Sequence, residues 1–464
     1  MNAPAPTPQG PPTVPFLEAL RFWLQLGFIS FGGPAGQIAI MHRELVDKRR
    51  WISEARFLHA LNFCMVLPGP EAQQLATYLG WLMHRTRGGI AAGVLFVLPS
   101  LVLLIGLSGV YMAYGQLPLV AGIFYGIKPA VAAIVLHALH RMASKSLGSP
   151  RARPAPWAIA ALSFIAVWAL QLPFPLVVLC AMLAGVVLGR VAPGALGKPS
   201  GHAANHQSHA PSLIDDTTPT PAHALFKASR LAWVLGVGAM LWLLPMAALL
   251  AAYGWQGTLT QIGWFFTKAA LLTFGGAYAV LPYVNQNAVE HYQWLTTAQM
   301  MDGLALGEST PGPLIIVVAF VGFVGGWAKQ VLGPDTLFLG AALAACVATW
   351  FTFLPSFVFI LAGGPYVEST RGNLKLTAPL SAVTAAVVGV IANLALFFIA
   401  AVAYKTQAPA TFDTLNAFIS SLDGLALAIL AFAIFALWRL KWGVIRVIAL
   451  CAAAGLALRM LGLA

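Results

Sequence analysis

Two kinds of short glycine- and proline-rich motif interrupt the apolar segments of this chain, and each kind occurs twice. The first kind is Phe31-Gly32-Gly33-Pro34, with a near copy in Phe274-Gly275-Gly276-Ala277. The second is Pro68-Gly69-Pro70, with a copy in Pro311-Gly312-Pro313. A helix that stops at membrane depth leaves backbone N–H and C=O groups unpaired, which is tolerated only inside protein or beside a polar cavity.

Each motif is followed by a predicted helix N-terminus, whose free N–H groups and partial positive charge favour anions. These N-termini are predicted near Ala35, Glu71, Ala277 and Leu314. If all four meet, they form an anion site without a dedicated cationic side chain. The alternative is that the motifs only permit kinks and close helix packing.

Hydroxyl and amide side chains near the motifs could donate hydrogen bonds to a bound oxyanion. They are Ser30, Thr273, Ser309, Thr310, Gln37, Gln73 and Gln74. Lys268, six residues before Phe274, adds a positive charge if it faces the site; otherwise it extends to the nearer membrane interface. Lys128 and Arg21 are further intramembrane candidates.

Two carboxylates adjoin the motifs. Glu71 follows Pro70 directly, and Glu308 precedes the second Pro-Gly-Pro by three residues. An ionised carboxylate there repels an anion, so proton exchange at Glu71 or Glu308 would permit binding in one state and drive release in the other. For Glu71 the alternative is a helix-capping role.

Composition places the chain in a membrane. Hydrophobic residues make up 59%, charged residues 9%, and the mean hydropathy is +0.81, whereas a soluble domain has about 25% charged residues. The net charge of +12 is carried by loops and suits anionic lipid headgroups rather than nucleic acid. No ATP-binding loop, nucleophile–base pair or metal-ligand spacing is present, so we expect no enzyme, cofactor or metal.

An internal duplication organises the chain. Both motifs recur at an offset of 243 residues, and Trp51 and Trp294 share that offset. We predict an all-α polytopic membrane protein of two inverted-topology repeats with broken, re-entrant helices, linked by one extra transmembrane helix. Its parts are a disordered tail (1–15), the first repeat (16–190), a flexible cytoplasmic linker (191–227), the connecting helix (228–253) and the second, inverted repeat (254–464).

Loop charges predict the inversion. Residues 41–56 include five Lys or Arg, and the equivalent residues 284–299 include none. Conversely, residues 171–175 are uncharged, and their counterpart contains Arg439, Lys441 and Arg446. By the positive-inside rule, equivalent loops then lie on opposite sides of the membrane, with the N-terminus and the linker in the cytoplasm.

At these motifs the chain resembles the chromate ion transporter family in its long, two-repeat form. The matching stretches are FGGPAGQIAIMHRELVDKRRWIS, LPGPEAQQLATYLGW, LTFGGAYAVLPYV and GESTPGPLIIVVAFVGF. The resemblance implies a bacterial inner-membrane protein that expels chromate, an oxyanion close to sulfate in size and charge. Ala277 replaces Pro34 in the second copy, so the two halves need not contribute equally.

The expected function is secondary active export of chromate or sulfate-like oxyanions, driven by membrane potential, proton exchange or both, giving chromate resistance. Membrane lipid is the other expected partner, and a homodimer is compatible with the sequence. A passive anion channel would use the same helix ends and is the alternative. Accumulation against a gradient would separate the two.

Overall fold

A computed structural model describes residues 14–31, 33–192, 212–215, 218, 221–274, 277–369, 377–404 and 421–463. Most of the predicted tail, residues 193–211 of the linker, and Gly32, Gly275 and Gly276 of the motifs lie outside these ranges. The described residues form helices and the turns between them, with two isolated β-bridges and no β-strand.

The first half contains seven α-helices. They are α1 (Phe16–Ile29), α2 (Gly33–His42), α3 (Glu54–Cys64), α4 (Glu71–Tyr114), α5 (Pro118–Ser146), α6 (Pro154–Trp168) and α7 (Phe174–Val191). The connecting helix is α8 (Ala228–Tyr253), with the predicted bounds.

The second half repeats this order. Its helices are α9 (Thr258–Leu272), α10 (Ala277–Asn285), α11 (Thr297–Ser309), α12 (Val317–Ala328), α13 (Leu337–Ser369), α14 (Thr377–Ala403), α15 (Gly424–Trp438) and α16 (Val444–Met460). α12 is preceded by a 3₁₀ turn, Leu314–Ile316.

Local details recur at the same offset of 243 residues. A π-helical turn follows α2 at Arg43–Lys48 and α10 at Gln286–His291. The N-cap hydroxyls of α3 and α11, Ser53 and Thr296, each accept a hydrogen bond of 3.2 Å from the backbone N–H three residues later. Such caps pair N–H groups that a helix start leaves free. The duplication seen in the sequence therefore extends to helix termini.

A sharp bend interrupts α4. His84 and Arg85 have non-helical backbone angles, and the φ of Arg85 is +57°. This bend separates the segment that follows Pro68-Gly69-Pro70 from the long segment beyond it. The two segments correspond to α12 and α13 in the second half.

Six helices are long and apolar enough to cross a membrane, counting the part of the chain that the structure describes. They are α4, α5, α7, α8, α13 and α14. This confirms the predicted fold class, an all-α polytopic membrane protein. The apolar runs 155–170, 415–438 and 442–463 predict three further full-length spans. Over the described residues their helices are shorter: α6 and α15 have 15 residues and α16 has 17. Residues 415–420 of the second run lie outside the described ranges. α15 is capped at its start by the Asp423 side chain, which accepts from the N–H of Ala426 at 2.9 Å.

Part of the linker is attached to the first half. Ile214, 9% exposed, forms a parallel bridge to Ile52 and accepts a hydrogen bond from the N–H of Ser53 at 3.0 Å. His223 Nε2 lies 3.0 Å from the carbonyl oxygen of Trp81. Burial holds the pKa of His223 below its usual value, so its ring is neutral at physiological pH.

Equivalent helices also pack in equivalent pairs. α1 lies against the long segment of α4, where a Cβ on Gly27 would stand 2.2 Å from the carbonyl oxygen of Leu95. α9 lies against α13, where a Cβ on Gly263 would stand 2.9 Å from the Phe351 ring. Glycine lets each broken helix approach its long neighbour closely. This packing fixes the position of the motif at the end of each broken helix.

Candidate functional site

The two Pro-Gly-Pro motifs are bound by the opposite half of the molecule. The N–H of Gly69 donates to the carbonyl oxygen of Thr273 at 2.7 Å. The N–H of Gly312 donates to the carbonyl oxygen of Ser30 at 2.8 Å. Thr273 and Ser30 immediately precede the Phe-Gly-Gly motifs, so the four breaks meet in two reciprocal pairs. Each half thus donates to the other half through equivalent residues. Such reciprocal contacts are the pattern of a two-fold relation between the halves.

Only glycine fits at the centre of either Pro-Gly-Pro. Gly69 has a φ of +128° and Gly312 a φ of +102°, which L side chains rarely adopt. A Cβ on Gly69 would lie 2.4 Å from Ser356 Oγ, and one on Gly312 would lie 1.7 Å from Ser100 Oγ. Ser100 and Ser356 are themselves equivalent residues, each on the long helix of the other half. The hydroxyl of Ser100 donates to the carbonyl oxygen of Pro311.

Two polar side chains at the first break are buried without a full set of partners. Ser30 is 0% exposed, and its hydroxyl has no hydrogen-bond partner among the described residues. Gln37 is 1% exposed, and its amide nitrogen donates to the carbonyl oxygen of Gly312, while its Oε1 has no partner in the same ranges. Buried polar atoms are normally satisfied, so unpaired ones mark a place where water or a ligand binds.

The hydroxyls beside the motifs of the second half already donate hydrogen bonds within the protein. Thr273 Oγ1 donates to the carbonyl oxygen of Ala269 at 2.6 Å, and Thr310 Oγ1 to that of Gly307 at 3.2 Å. Ser309 Oγ donates to the carbonyl oxygen of Leu306 at 3.1 Å. Each bond lies within the residue's own helical turn. The unsatisfied polar groups of this site are thus more numerous beside the first Phe-Gly-Gly motif than beside the second.

Glu308 lies between the two halves. It is 5% exposed, and its Oε1 accepts a hydrogen bond from the hydroxyl of Tyr278, in the first turn of α10. The same hydroxyl would be 3.8 Å from a Cβ placed on Gly33, at the start of α2. The carboxyl of Glu308 is therefore joined through one tyrosine to the break of the first half.

The remaining predicted residues are placed as follows. Glu71 is the first residue of α4 and is partly buried, and Gln74 Nε2 donates to the carbonyl oxygen of Pro68 at 2.7 Å. Lys268 is partly buried, with its ammonium 5.8 Å from the centre of the Trp264 ring. Trp264 is 36% exposed, so Lys268 points toward the outer wall of α9. Phe31, Pro34, Pro68 and Phe274 are partly buried, and Pro70, Pro311 and Pro313 are buried.

Comparison with known proteins places the chain in a family. The family model described as "Chromate transporter" matches residues 17–186 and 260–456, which are the two halves without the linker and α8. The chain belongs to the chromate transporter family. It is 31% identical over 403 residues to a chromate transport protein of Cupriavidus metallidurans, covering 84% of this chain and 86% of the relative. It is 32% identical over 391 residues to a chromate transport protein of Pseudomonas aeruginosa, covering 83% and 82%.

More distant relatives are also similar. An uncharacterized transporter of Methanocaldococcus jannaschii is 25% identical over 392 residues, covering 84% of this chain and 86% of the relative. No solved structure matches the chain. The family confirms the resemblance found in the sequence motifs.

Several residues around the breaks of this transporter-family member were not predicted from sequence. Tyr278 falls one residue after Ala277 and has Ala35 as its counterpart, so nothing in the duplication marked it. Ser100 and Ser356 lie in the repeated Leu-Pro-Ser tripeptides, which do carry a signal. Their contact with the Pro-Gly-Pro motifs joins residues more than 200 positions apart, and only the folded chain shows it.

A second group that the sequence did not reveal lies beside α3. Arg56 and Glu368 form a buried ion pair, with Nη1 and Oε2 2.6 Å apart and side-chain exposures of 2% and 1%. Tyr78 donates a hydrogen bond to the other carboxylate oxygen. Arg56 also donates to the linker, to the carbonyl oxygens of Asp215 at 3.4 Å and Thr218 at 3.3 Å. This group ties α3 and α4 of the first half to α13 of the second.

Proposed function

We propose that this protein is a secondary active transporter that exports chromate across the bacterial inner membrane and so confers resistance to it. Membership of the chromate transporter family supports the substrate. The names of the relatives, chromate transport proteins, support the same assignment. Sulfate-like oxyanions share the tetrahedral shape and double charge of chromate and are proposed as weaker substrates.

The observation that carries the proposal is the meeting of the four breaks. The Ser30 hydroxyl, which has no partner among the described residues, and the amide NH₂ of Gln37, which donates one hydrogen to Gly312, lie where the reciprocal pairs join the halves. The first N–H groups of the helices that begin there have no acceptor within their own helix. Neutral donors of this kind bind an oxyanion without fixing it as tightly as a buried cation would. We place the substrate site at Ser30, Gln37 and the residues of the four motifs. Lys268 is not among the residues that we propose to contact the substrate.

Inverted repeats suit this site. In a transporter with inverted repeats, broken helices meet near the midplane and the halves rock around a central site. In each pair of equivalent loops one is rich in Lys and Arg and the other lacks them, which supports the inverted arrangement. The same charges support a cytoplasmic N-terminus and a cytoplasmic linker.

Export is favoured energetically by the membrane potential. One elementary charge crossing 100 mV is worth about 2.3 kcal/mol, so a dianion leaving a negative-inside cell gains about 4–5 kcal/mol. Glu308, joined to the first break through Tyr278, is the better placed of the two proposed proton-exchanging carboxyls. Its protonation would remove a negative charge from beside the bound anion.

The test is uptake of labelled chromate into inverted membrane vesicles, in competition with sulfate, molybdate and phosphate, with and without a proton gradient. We expect saturable accumulation against the chromate gradient, and competition by sulfate stronger than by phosphate. Glu308→Gln is expected to transport with a weaker dependence on pH. Uptake that only equilibrates chromate across the membrane would instead identify a passive channel.

A further inference from the structure

A buried carboxyl outside the substrate site joins helices from both halves. Asp302 on α11 accepts a hydrogen bond at Oδ2 from the hydroxyl of Tyr111 on α4, at 2.8 Å. The ammonium of Lys128 on α5 lies 4.0 Å from the same oxygen. α4 and α5 belong to the first half and α11 to the second, so the contact crosses the interface between the halves.

Asp302 is only partly satisfied. It is 3% exposed, and its second oxygen, Oδ1, is buried with no hydrogen-bond partner in the part of the chain that the structure describes. Burial and the unpaired oxygen oppose the ionised form, whereas Lys128 supports it. Loss of the Lys128 contact would therefore shift Asp302 toward its neutral form.

Few other titratable groups surround Asp302. Among the helices packed against α11, α12 and α14 carry none, and α16 carries Arg446, Cys451 and Arg459. Besides Tyr111, α4 carries Tyr114 near its C-terminal end and, before and just after its bend, Glu71, Tyr78, His84, Arg85 and Arg87. On α5, the Tyr125 hydroxyl is bound by Asp423, at 2.8 Å and 2.9 Å from its two oxygens, and His137, His140, Arg141 and Lys145 lie toward the C-terminal end. Glu308 lies six residues further along α11. Among the described residues, Tyr111 and Lys128 are the titratable groups that contact the Asp302 side chain.

Lys128 is the more accessible member of the pair. Its side chain is 33% exposed, whereas that of Asp302 is 4% exposed. The side of the pair on which Lys128 is exposed is therefore the side from which we expect a proton to reach Asp302.

We propose that Asp302 is a proton-binding site of the transport cycle, ionised while it is paired with Lys128 and neutral when that contact opens. The proton goes to a carboxylate oxygen, and Tyr111 remains the hydrogen-bond partner in both states. This inference rests on the proposed transport function and adds a proton site distinct from Glu71 and Glu308. Release of Lys128 on protonation leaves a cation free at the interface of the halves.

The test uses purified protein in liposomes with the membrane potential clamped, and records chromate uptake together with the internal pH. In the unmutated protein, chromate uptake should move protons. For Asp302→Asn we expect that chromate-dependent proton movement falls to the level of empty liposomes, and that the transport–pH profile becomes flat. Asp302→Glu should restore both. Asp423→Asn, which removes another carboxyl bound to a tyrosine, is the matched control and should keep both.

Lys128→Met provides an independent variant if Asp302→Asn does not fold. Removing the cation favours the neutral acid, so the midpoint of the transport–pH profile should move to higher pH by about 1 unit. An unchanged midpoint, or full proton movement in Asp302→Asn, overturns the inference.

Failure of the proposed function would look different, because the unmutated protein would then take up no chromate or would only equilibrate it across the membrane. In that case the proton site is decided by a pH titration of the purified protein. Asp302→Asn should bind one proton fewer than the unmutated protein, and equal proton counts reject the site.

Discussion

Positions 56 and 299 are equivalent in the two halves, and their side chains make contacts of opposite character. Arg56 forms a buried ion pair with Glu368, supported by Tyr78 and by the linker. Gln299 lies with its Nε2 4.0 Å from Met112 Sδ, and Met112 is the counterpart of Glu368 at the offset of 256 residues that relates the longer helices. At these two equivalent positions the contact between the halves is therefore ionic in one case and neutral in the other.

The backbone does not share this asymmetry. Gly69 and Gly312 donate to equivalent carbonyl groups, and Ser356 and Ser100 face them in equivalent positions. The breaks thus have the same main-chain geometry in both halves, while the titratable and amide side chains differ. The main chain of both halves therefore forms the site symmetrically, and the side chains make the contribution of the first half differ from that of the second.

The largest effect, a loss of folded protein, is expected at the Pro-Gly-Pro glycines, where the two halves have the same main-chain geometry. Gly312→Ala and Gly69→Ala each place a side chain at a φ that costs about 1–2 kcal/mol and against a serine hydroxyl. We expect loss of most folded protein for both variants, with Gly312→Ala the more severe because its Cβ would lie closer to the hydroxyl. The yield of monodisperse protein by size exclusion measures this.

Gly424→Ala is the matched control, since a Cβ at Gly424 would have no neighbour within 4 Å. If Gly69→Ala alone gave normal yields, the main-chain geometry of the two tips would not be equally required.

The second prediction converts the ionic pair into the neutral pair. Arg56→Gln leaves a buried carboxylate without its guanidinium, which costs about 3–5 kcal/mol of folding stability. The double variant Arg56→Gln with Glu368→Met copies the pair found in the second half and should recover most of that loss. Thermal unfolding of the purified protein measures both. Equal stability of the single and double variants would show that the charge on Glu368 does not need Arg56.

The smallest effect concerns the amide at the first break. Gln37→Val copies the counterpart Val280 and removes one polar group from the proposed oxyanion site. One lost hydrogen bond to the oxyanion, worth about 1.4 kcal/mol, should raise the half-saturating chromate concentration about tenfold. The variant also removes the bond to the carbonyl oxygen of Gly312, so uptake is measured per amount of folded protein. Gln261→Val, at a surface glutamine of α9, is the control. A half-saturating concentration equal to that of the unmutated protein would remove Gln37 from the site.

Most helix positions followed from sequence because their ends carry local signals. Ser53 and Thr296 mark the starts of α3 and α11, and the motifs mark the breaks. The cap of α15 by Asp423 was not predicted, since an apolar run does not reveal a capping residue within it. The predicted start of this span, residue 415, lies outside the described residues. Local residue types fix helix ends well, and apolar runs alone do not.

The sequence predicted the four helix breaks of the site, but only some of the polar side chains around them. The motifs located Ser30, Gln37 and Glu308, but Asp302 sits in an ordinary helical segment with no motif beside it. Its partners Tyr111 and Lys128 are more than 170 residues away in sequence. Contacts that depend on how two halves dock have no local signal, and the duplication cannot supply them because the side chains differ between copies.

The reciprocal bonds at the two Pro-Gly-Pro tips have a consequence for how such a protein can be assembled. A chain with only one half would contain a tip N–H without an acceptor and a break carbonyl without a donor, each buried at a cost of about 1–3 kcal/mol. Such a chain would be complete only when paired with a second one. Joining the halves through α8 makes that encounter intramolecular and sets a high effective concentration. Covalent fusion also frees each half to diverge, since neither has to pair with a copy of itself.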